Sequence, residues 1–115
     1  MADWSDEGLI RDTQVVLGVV SGRWTIPVLA ALEHGPRRYN ELGRAIDRIH
    51  PKVLNETLRR MADQQLVTRA VESESPPAVS YTLTEHARTL MNGFESLLDW
   101  VNKTPSLLAH WRERA

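Results

Sequence analysis

The sequence predicts a mainly α-helical fold with a small β-hairpin, and three observations support this prediction. Apolar residues recur every three or four positions in segments such as 54–61 and 87–101, which is typical of amphipathic helices. Turn-forming pairs such as Gly35-Pro36 separate the helical segments. Between residues 66 and 83, two runs rich in β-branched residues flank a Pro-Pro pair, as in two strands joined by a turn. With 115 residues, of which 42% are hydrophobic, we expect one domain over residues 1–115.

The first two predicted helices are strongly apolar. The first, residues 9–20, is apolar over most of its surface, so the core and a partner subunit are both candidates to cover it. The second runs from about residue 23 to residue 33, and we expect Pro27 in its first turn, where proline is tolerated. The terminal segments, residues 1–8 and 104–115, are expected to be flexible or to form dimer arms.

The third and fourth helices form the central part of the prediction. A short extended piece at residues 37–39 precedes a third helix over residues 41–47, for which Asn40 is a good N-cap. The fourth helix begins at Pro51 and continues to about residue 65. At about 100° per residue, one stripe of this helix faces inward and consists of Leu54, Leu58, Met61 and Gln65. The opposite face is polar and charged, and it carries Lys52, Asn55, Glu56, Arg59 and Asp63.

The hairpin and a long helix follow. We expect strands at residues 66–74 and 79–83, joined by a tip at residues 75–78. Thr84 is placed to cap a helix over about residues 85–102, whose apolar spacing also suits a coiled-coil seam. A short helix is expected after the next proline. Helix, short helix, amphipathic helix and hairpin, in that order, form a winged helix-turn-helix.

The net charge of −1 conceals a strong asymmetry along the chain. Residues 37–69 contain eight basic and four acidic residues, so that segment carries +4 and the remainder carries −5. Phosphate contact is made by one face of a protein, so this distribution is compatible with binding to a polyanion. The same arginines are also compatible with an ordinary solvated surface.

The exposed face of the fourth helix has the residue types that read base edges in the major groove of double-stranded DNA. Arg59 suits guanine, Asn55 suits adenine, and Glu56 can accept from the amino group of cytosine. Arg37 and Arg38, at the start of the third helix, suit contact with the DNA backbone. Arg69 in the hairpin suits the same contact, and an ion pair between the two strands is an equal alternative for it. The predicted DNA-binding residues are Arg37, Arg38, Asn40, His50 (as an N-cap or phosphate contact), Lys52, Val53, Asn55, Glu56, Arg59 and Arg69.

Several motifs together closely resemble the HxlR-type winged helix-turn-helix regulators of bacteria, over about residues 15–103. The motifs are Gly22-Arg23-Trp24-Thr25, Gly35-Pro36-Arg37-Arg38-Tyr39-Asn40-Glu41-Leu42, Pro51-Lys52-Val53-Leu54, Leu66-Val67-Thr68-Arg69, and Pro76-Pro77 before Tyr81-Thr82-Leu83-Thr84. The resemblance implies homodimers that bind near-palindromic operators, with dimerisation through the N-terminal helix and the long C-terminal helix. It also implies activation or repression of nearby genes, often in response to electrophiles, aldehydes or oxidants.

Three departures from that family pattern change the expectations. Many relatives carry a cysteine near the N-terminus, whereas this chain has none, so sensing through a thiol is excluded. Many relatives carry arginine just after the Pro-Pro pair, whereas this chain has Ala78 near Glu72 and Glu74, which argues against a strong minor-groove contact. His50 stands where the family usually has serine.

Two other functions compete with DNA-binding regulation. Catalysis has little support, because the four histidines are scattered and no phosphate-binding loop or nucleophile motif is present; we expect no enzyme activity, metal or cofactor. The main alternative is a winged-helix module that recognises protein. Ala78 and the acidic residues Glu72 and Glu74 of the hairpin, which is the wing of this fold, favour it.

A third interpretation is a regulator with an aromatic-lined pocket at the dimer interface, for a small aromatic or aldehyde effector. Its candidate residues are Trp24, Phe94 and Trp100, although packing in the core is the default role of both tryptophans. No apolar run approaches the roughly 20 residues of a membrane span, and the N-terminus is acidic. We therefore expect a cytoplasmic protein without membrane contact.

Overall fold

The computed structural model describes residues 1–115, which form six helices and one three-stranded antiparallel sheet. The helices are α1 (Glu7–Val20), α2 (Thr25–Ala31), α3 (Tyr39–Ala45), α4 (Pro51–Asp63), α5 (Glu85–Asn102) and α6 (Pro105–Arg114). The strands are β1 (Arg37–Arg38), β2 (Val67–Glu74) and β3 (Pro77–Leu83). The predicted mainly α-helical, winged helix-turn-helix fold is confirmed.

The predicted hairpin is present, and a third strand extends it. Strands β2 and β3 pair in antiparallel fashion, and β1 pairs with the other edge of β3, which gives the order β1-β3-β2. Arg37 lies opposite Tyr81 and Arg38 lies opposite Ser80. The short extended piece therefore supplies hydrogen-bond partners to an edge that would otherwise be unpaired. Strand β3 begins earlier than expected, at Pro77, so the turn between the strands is shorter than the predicted tip.

The core lies between the helix-turn-helix, the sheet and the first part of α5. Its buried residues come from α2, α3, α4, β2, β3 and α5 and from the connections between them. They are Val28, Leu29, Leu32, Leu42, Ile46, Leu54, Leu58, Met61, Leu66, Val67, Tyr81, Leu83 and Ala87. Because α4 contributes its inner face to this cluster, the core fixes the orientation of its outer face.

The boundaries of the first helices follow their caps. Helix α1 starts at Glu7, two residues earlier than expected, because the Asp6 carboxylate accepts a hydrogen bond from the Gly8 backbone N–H at 2.8 Å. Helix α2 is shorter than predicted, but Pro27 lies in its first turn as expected. Gly35 follows with φ +139°, a conformation that favours glycine.

The N-cap of α3 is Arg38, so the assignment of Asn40 as the cap is wrong. Pairing in β1 holds Arg38 in an extended conformation with φ −75° and ψ 157°. Its backbone N–H donates to Glu41 Oε1 at 3.0 Å, so the third residue of the helix reaches back to the cap. The cap is thus set by a strand partner that is distant in sequence.

Helix α4 has defined structure at both ends. His50 is its N-cap, and Nδ1 of the His50 ring accepts a hydrogen bond from the Lys52 backbone N–H at 3.1 Å, as one of the two sequence interpretations predicted. At the other end, Gln65 has φ +60° and the Leu66 N–H donates to the Met61 carbonyl at 2.9 Å. This pattern is a Schellman motif, which ends the helix before Gln65. The expectation that Gln65 continues the buried stripe is therefore wrong; the residue is exposed.

The outer helices leave large apolar residues exposed. Helix α5 has the predicted bounds and is capped by Thr84, whose Oγ1 accepts from the Ala87 N–H at 3.1 Å. Trp100 of this helix is 58% exposed and lies beside Trp111, with 6.2 Å between ring centroids, so the default assignment of Trp100 to the core is wrong for a single chain. The other large exposed apolar residues of α1 and α5 are Ile10, Val15, Val16, Leu17, Leu97 and Leu98.

No single helix is both long enough and apolar enough to span a membrane. Helices α1 and α2 meet them only when taken together, across a bend of 66°.

Candidate nucleic-acid interface

Helix α4 presents a buried face and a polar face, as predicted. Leu54, Leu58 and Met61 are at most 1% exposed. The four predicted base-reading or phosphate-binding residues on the opposite side are all exposed: Lys52, Asn55, Glu56 and Arg59. Thr57 is also buried, which the sequence analysis missed although the residue lies only about 60° around the helix from Leu54.

The charges on this polar face have no partners within the chain. The structure contains three ion pairs, and none of them includes Lys52, Glu56 or Arg59. The pairs are His34–Glu33, Arg38–Glu72 and Arg48–Asp47. The exposed face of α4 therefore offers free donors and two free carboxylates, those of Glu56 and Asp63, to a ligand outside the chain.

A cleft of about 430 Å³ separates α4 from the start of α3 and the sheet. Four of the predicted DNA-binding residues line it: Arg38, Asn40, Asn55 and Arg69. An adjoining cleft of about 390 Å³ lies between α4 and β2, and Asn55, Arg59 and Arg69 are among its lining residues. The fold thus brings five predicted residues from four elements to one continuous surface.

The hairpin arginine does not form the ion pair that was the alternative for it. Arg69 is exposed and takes part in none of the three ion pairs. The ion pair that does cross the sheet joins Arg38 Nε to Glu72 Oε2 at 3.3 Å. Ala78, which replaces the arginine of many relatives, is half-buried in the wall of the first cleft.

Arg37 lies apart from the other predicted DNA-binding residues. Successive residues of a strand point to opposite faces, so the side chains of Arg37 and Arg38 diverge. Arg37 is half-buried and lines a separate cavity of about 470 Å³ with Trp24, Ile46, Asp47 and four other residues. Alternation along β1 was the pattern that would have predicted this separation.

The three aromatic residues predicted for an effector pocket do not meet in that cavity. Trp24 lines it, whereas neither Phe94 nor Trp100 does. Phe94 is half-buried against the core, and Trp100 lies on the exposed side of α5.

Two contacts that the sequence analysis missed hold α4 in place. The Tyr39 hydroxyl donates to the Pro51 carbonyl at 2.9 Å and joins α3 to the start of α4. Arg60 Nη2 donates to Thr25 Oγ1 at 3.1 Å and joins α4 to the start of α2. A Cβ at Gly22 would lie 2.8 Å from Thr25 Oγ1, so glycine leaves room for this contact. The Gly22–Thr25 motif was the feature of the sequence that could have indicated the contact between Arg60 and Thr25.

The remaining predicted residues of α4 and its cap lie at the same surface. His50 is exposed at the start of the helix, and its ring is already engaged as the cap. Val53 is half-buried. These two residues border the polar face.

Comparison with known proteins places these features in a family context. A family model described as HxlR-like helix-turn-helix matches residues 19–107. A helix-turn-helix transcriptional regulator of Methanothermobacter thermautotrophicus is 32% identical over 98 residues, which are 85% of this chain and 75% of that protein.

Solved structures give the same result. A protein of Enterococcus faecalis described as a transcriptional regulator of the MarR family has a TM-score of 0.76 at 32% identity, over 96% of this chain and 94% of that one. The redox regulator HypR in its reduced form has a TM-score of 0.74 at 28% identity, over 86% of this chain and 98% of that one.

Proposed function

Because the chain belongs to the HxlR-like helix-turn-helix family of DNA-binding transcriptional regulators, we propose that it acts as a homodimer on a near-palindromic operator. Its relatives are named as regulators rather than as enzymes. The observation that carries the proposal is helix α4, which buries one face and presents free polar and charged groups on the other.

In the proposed complex, α4 lies in the major groove of double-stranded DNA. The groove admits a helix, and the exposed face of α4 offers a different donor or acceptor at each turn. Arg59 donates to guanine, Asn55 pairs with adenine, and Glu56 accepts from cytosine. Lys52, near the start of the helix, binds phosphate or guanine.

The clefts beside α4 supply contacts to the DNA backbone. Arg38 and Arg69 line the first cleft from β1 and β2, while Asn55 lines it from α4. A DNA backbone strand beside α4 would therefore meet the guanidinium group of Arg69, which lies opposite Tyr81 on the core side of the sheet. Such contacts set the register of the protein on DNA and make its affinity depend on salt.

The homodimer is proposed to form through α1 and α5. Val15, Val16 and Leu17 of α1 and Leu97 and Leu98 of α5 are each more than half exposed in the single chain. Large apolar surfaces of this kind are typical of association sites. Two-fold symmetry would then present two copies of α4 to the two halves of an operator.

The proposal extends to control by a small aromatic or aldehyde effector. The cavity beside Trp24 supports it, since about 470 Å³ is within the usual size of a ligand site and its wall is mostly apolar. The structural neighbour HypR is named a redox regulator, but this chain has no cysteine and cannot respond through a thiol. Quenching of tryptophan fluorescence that is lost in Trp24→Phe, together with weaker DNA binding, would support the effector; failure across a broad panel of such compounds would count against it.

Base reading by Arg59 is the sharpest test of the proposed function. We expect Arg59→Ala to cost about 1–3 kcal/mol of binding free energy on a duplex enriched by in vitro selection, and to relax discrimination at one base pair. Arg112→Ala, at an exposed position on α6, removes the same charge outside α4 and the clefts beside it and should leave the affinity unchanged. Equal losses for Arg59→Ala on selected and random duplexes would reject base reading. Absence of DNA binding by the unaltered protein would favour the protein-recognition module.

A further inference from the structure

The Arg38–Glu72 ion pair joins two strands that are not neighbours in the sheet. Arg38 is on β1 and Glu72 is on β2, with β3 between them. The pair therefore spans the width of the sheet, at the edge of the cleft that Arg38 lines. An acidic residue at this position is unexpected for a protein that binds a polyanion, and it calls for a physical reason.

Regular alternation along β2 accounts for the direction of the Glu72 side chain. Arg38 and Ala70 both lie opposite Ser80, so their side chains share one face of the sheet. Glu72 is two residues beyond Ala70 and therefore points to the same face as Arg38. A β-bulge begins there, since Val71 lies opposite Val79 and Ser73 lies opposite Ala78.

The contact leaves most of the Arg38 guanidinium free. Glu72 accepts only from Nε, at 3.3 Å, and neither terminal nitrogen of Arg38 is engaged within the chain. At the other end of the residue, the Arg38 backbone N–H donates to Glu41 at 3.0 Å. Arg38 is therefore held at its backbone and at Nε, and its two terminal nitrogens remain available to an anion.

We propose that Glu72 is a positioning residue, which holds Arg38 so that its two terminal nitrogens bind one phosphate of the DNA backbone at the edge of the cleft. This inference rests on the proposed function, since the ligand is DNA. It gives the acidic residue Glu72 of the hairpin a role other than minor-groove contact. The ligand chemistry is that of a phosphodiester, which matches the planar donor group of arginine.

The balance of two effects decides the sign of the Glu72 contribution. A free carboxylate near DNA repels phosphate, and its removal should strengthen binding. A carboxylate that fixes a long side chain before binding lowers the entropy lost on association. The proposal requires that the second effect is larger, so that removing a negative charge from the wing weakens binding to a polyanion.

Glu72→Ala tests this requirement on a random-sequence duplex. We expect its Kd to rise about two- to fivefold at roughly 0.1 M salt, because ordering one arginine is worth no more than that. Glu74→Ala removes the same charge two residues away, from a carboxylate that has no ion-pair partner, and should bind as tightly as the unaltered protein or more tightly. Glu72→Gln should recover most of the affinity, because its amide oxygen can still accept from Nε.

Arg38→Gln completes the cycle and separates positioning from a general structural effect. In this background, Glu72→Ala should no longer weaken binding, and the slope of log Kd against log salt should be smaller by about one unit for the loss of one phosphate contact. Equal or tighter binding by Glu72→Ala in the unaltered background would overturn the inference while leaving the proposed function intact. If the unaltered protein binds no duplex even at low salt, the proposed function fails and this inference fails with it.

Discussion

Helix α4 and the two outer helices, α1 and α5, differ in how completely a single chain buries their apolar residues. On α4, the large apolar residues Leu54, Leu58 and Met61 are buried and the charged residues face solvent. On the two outer helices, apolar side chains such as Val16 and Leu97 remain more than half exposed. The difference shows that a narrow apolar stripe can be covered within the chain, whereas a wider one needs a second surface.

Helix α5 contains this contrast within a single element. Ala87 near its start is buried, and Leu90 and Phe94 pack against the core. Farther along, Leu97 and Leu98 are exposed, and Val101 is the only buried residue. The molecule is accordingly elongated, with extents of 55 × 33 × 23 Å. The first part of α5 stabilises the chain, and the second is available for association.

The largest expected effect concerns the buried face of α4. We expect Leu58→Ala to lower the free energy of unfolding by about 2–5 kcal/mol, because it removes a fully buried side chain and leaves a cavity. Val71→Ala, at a position 52% exposed, should change it by less than about 0.5 kcal/mol. Urea denaturation measures both; similar values for the two variants would mean that α4 is not packed as described.

Leu97→Glu tests the exposed apolar face of α5 as the dimer surface. Burying a leucine at an interface is worth about 1.5–3 kcal/mol, so a charge there should weaken the dimer at least about tenfold. Glu95→Ala, at an exposed position on the same helix, should leave association unchanged. Sedimentation equilibrium gives the dissociation constants. If Leu97→Glu associates as tightly as the unaltered protein, α5 is not the dimer surface.

His50→Ala probes the start of α4 and should have an intermediate effect. Loss of the ring nitrogen that accepts from Lys52 should cost about 0.5–2 kcal/mol of stability, the usual range for an N-cap. His50→Asn supplies another good cap and should retain most of it. Thermal unfolding of both variants makes the comparison, and a loss as large for asparagine as for alanine would contradict the capping role.

The smallest expected stability effect is that of the Arg38–Glu72 pair. The two side chains are 61% and 43% exposed, so their coupling in a double-mutant cycle should be at most about 1 kcal/mol of folding free energy. A coupling of several kcal/mol in denaturation experiments would make the pair a structural element of the sheet. A small coupling leaves its effect on DNA binding interpretable as positioning.

The sequence predicted those features that depend on neighbours along the chain. The start of α4 at Pro51 and the bounds of α5 after Thr84 follow from local capping preferences, and both are confirmed. The end of α4 was missed because a non-glycine residue, Gln65, adopts the left-handed conformation there. Local propensity favours glycine at such a position, so no residue there indicates the end of the helix.

Features that depend on distant partners could not be predicted in this way. Arg38 became the cap of α3 because β1 pairs with β3, more than 40 positions away in sequence. The reach of Glu72 to Arg38 depends on the strand order β1-β3-β2, which sequence alternation along β2 does not reveal. By contrast, the exposed residues of α4, including Arg59, were predicted correctly because one helical period fixes both faces.

The most direct test of the central claim is in vitro selection of binding sites from a random duplex library, followed by measurement of the mass of the complex. We expect enrichment of a near-palindromic site whose half-sites are separated by about 10–10.5 base pairs or a multiple, occupied by two copies of the chain. Arg59→Ala should lose one base preference in each half-site. Enrichment of an asymmetric site bound by a single copy, or binding without any enrichment, would contradict the account of α4 and of the outer helices.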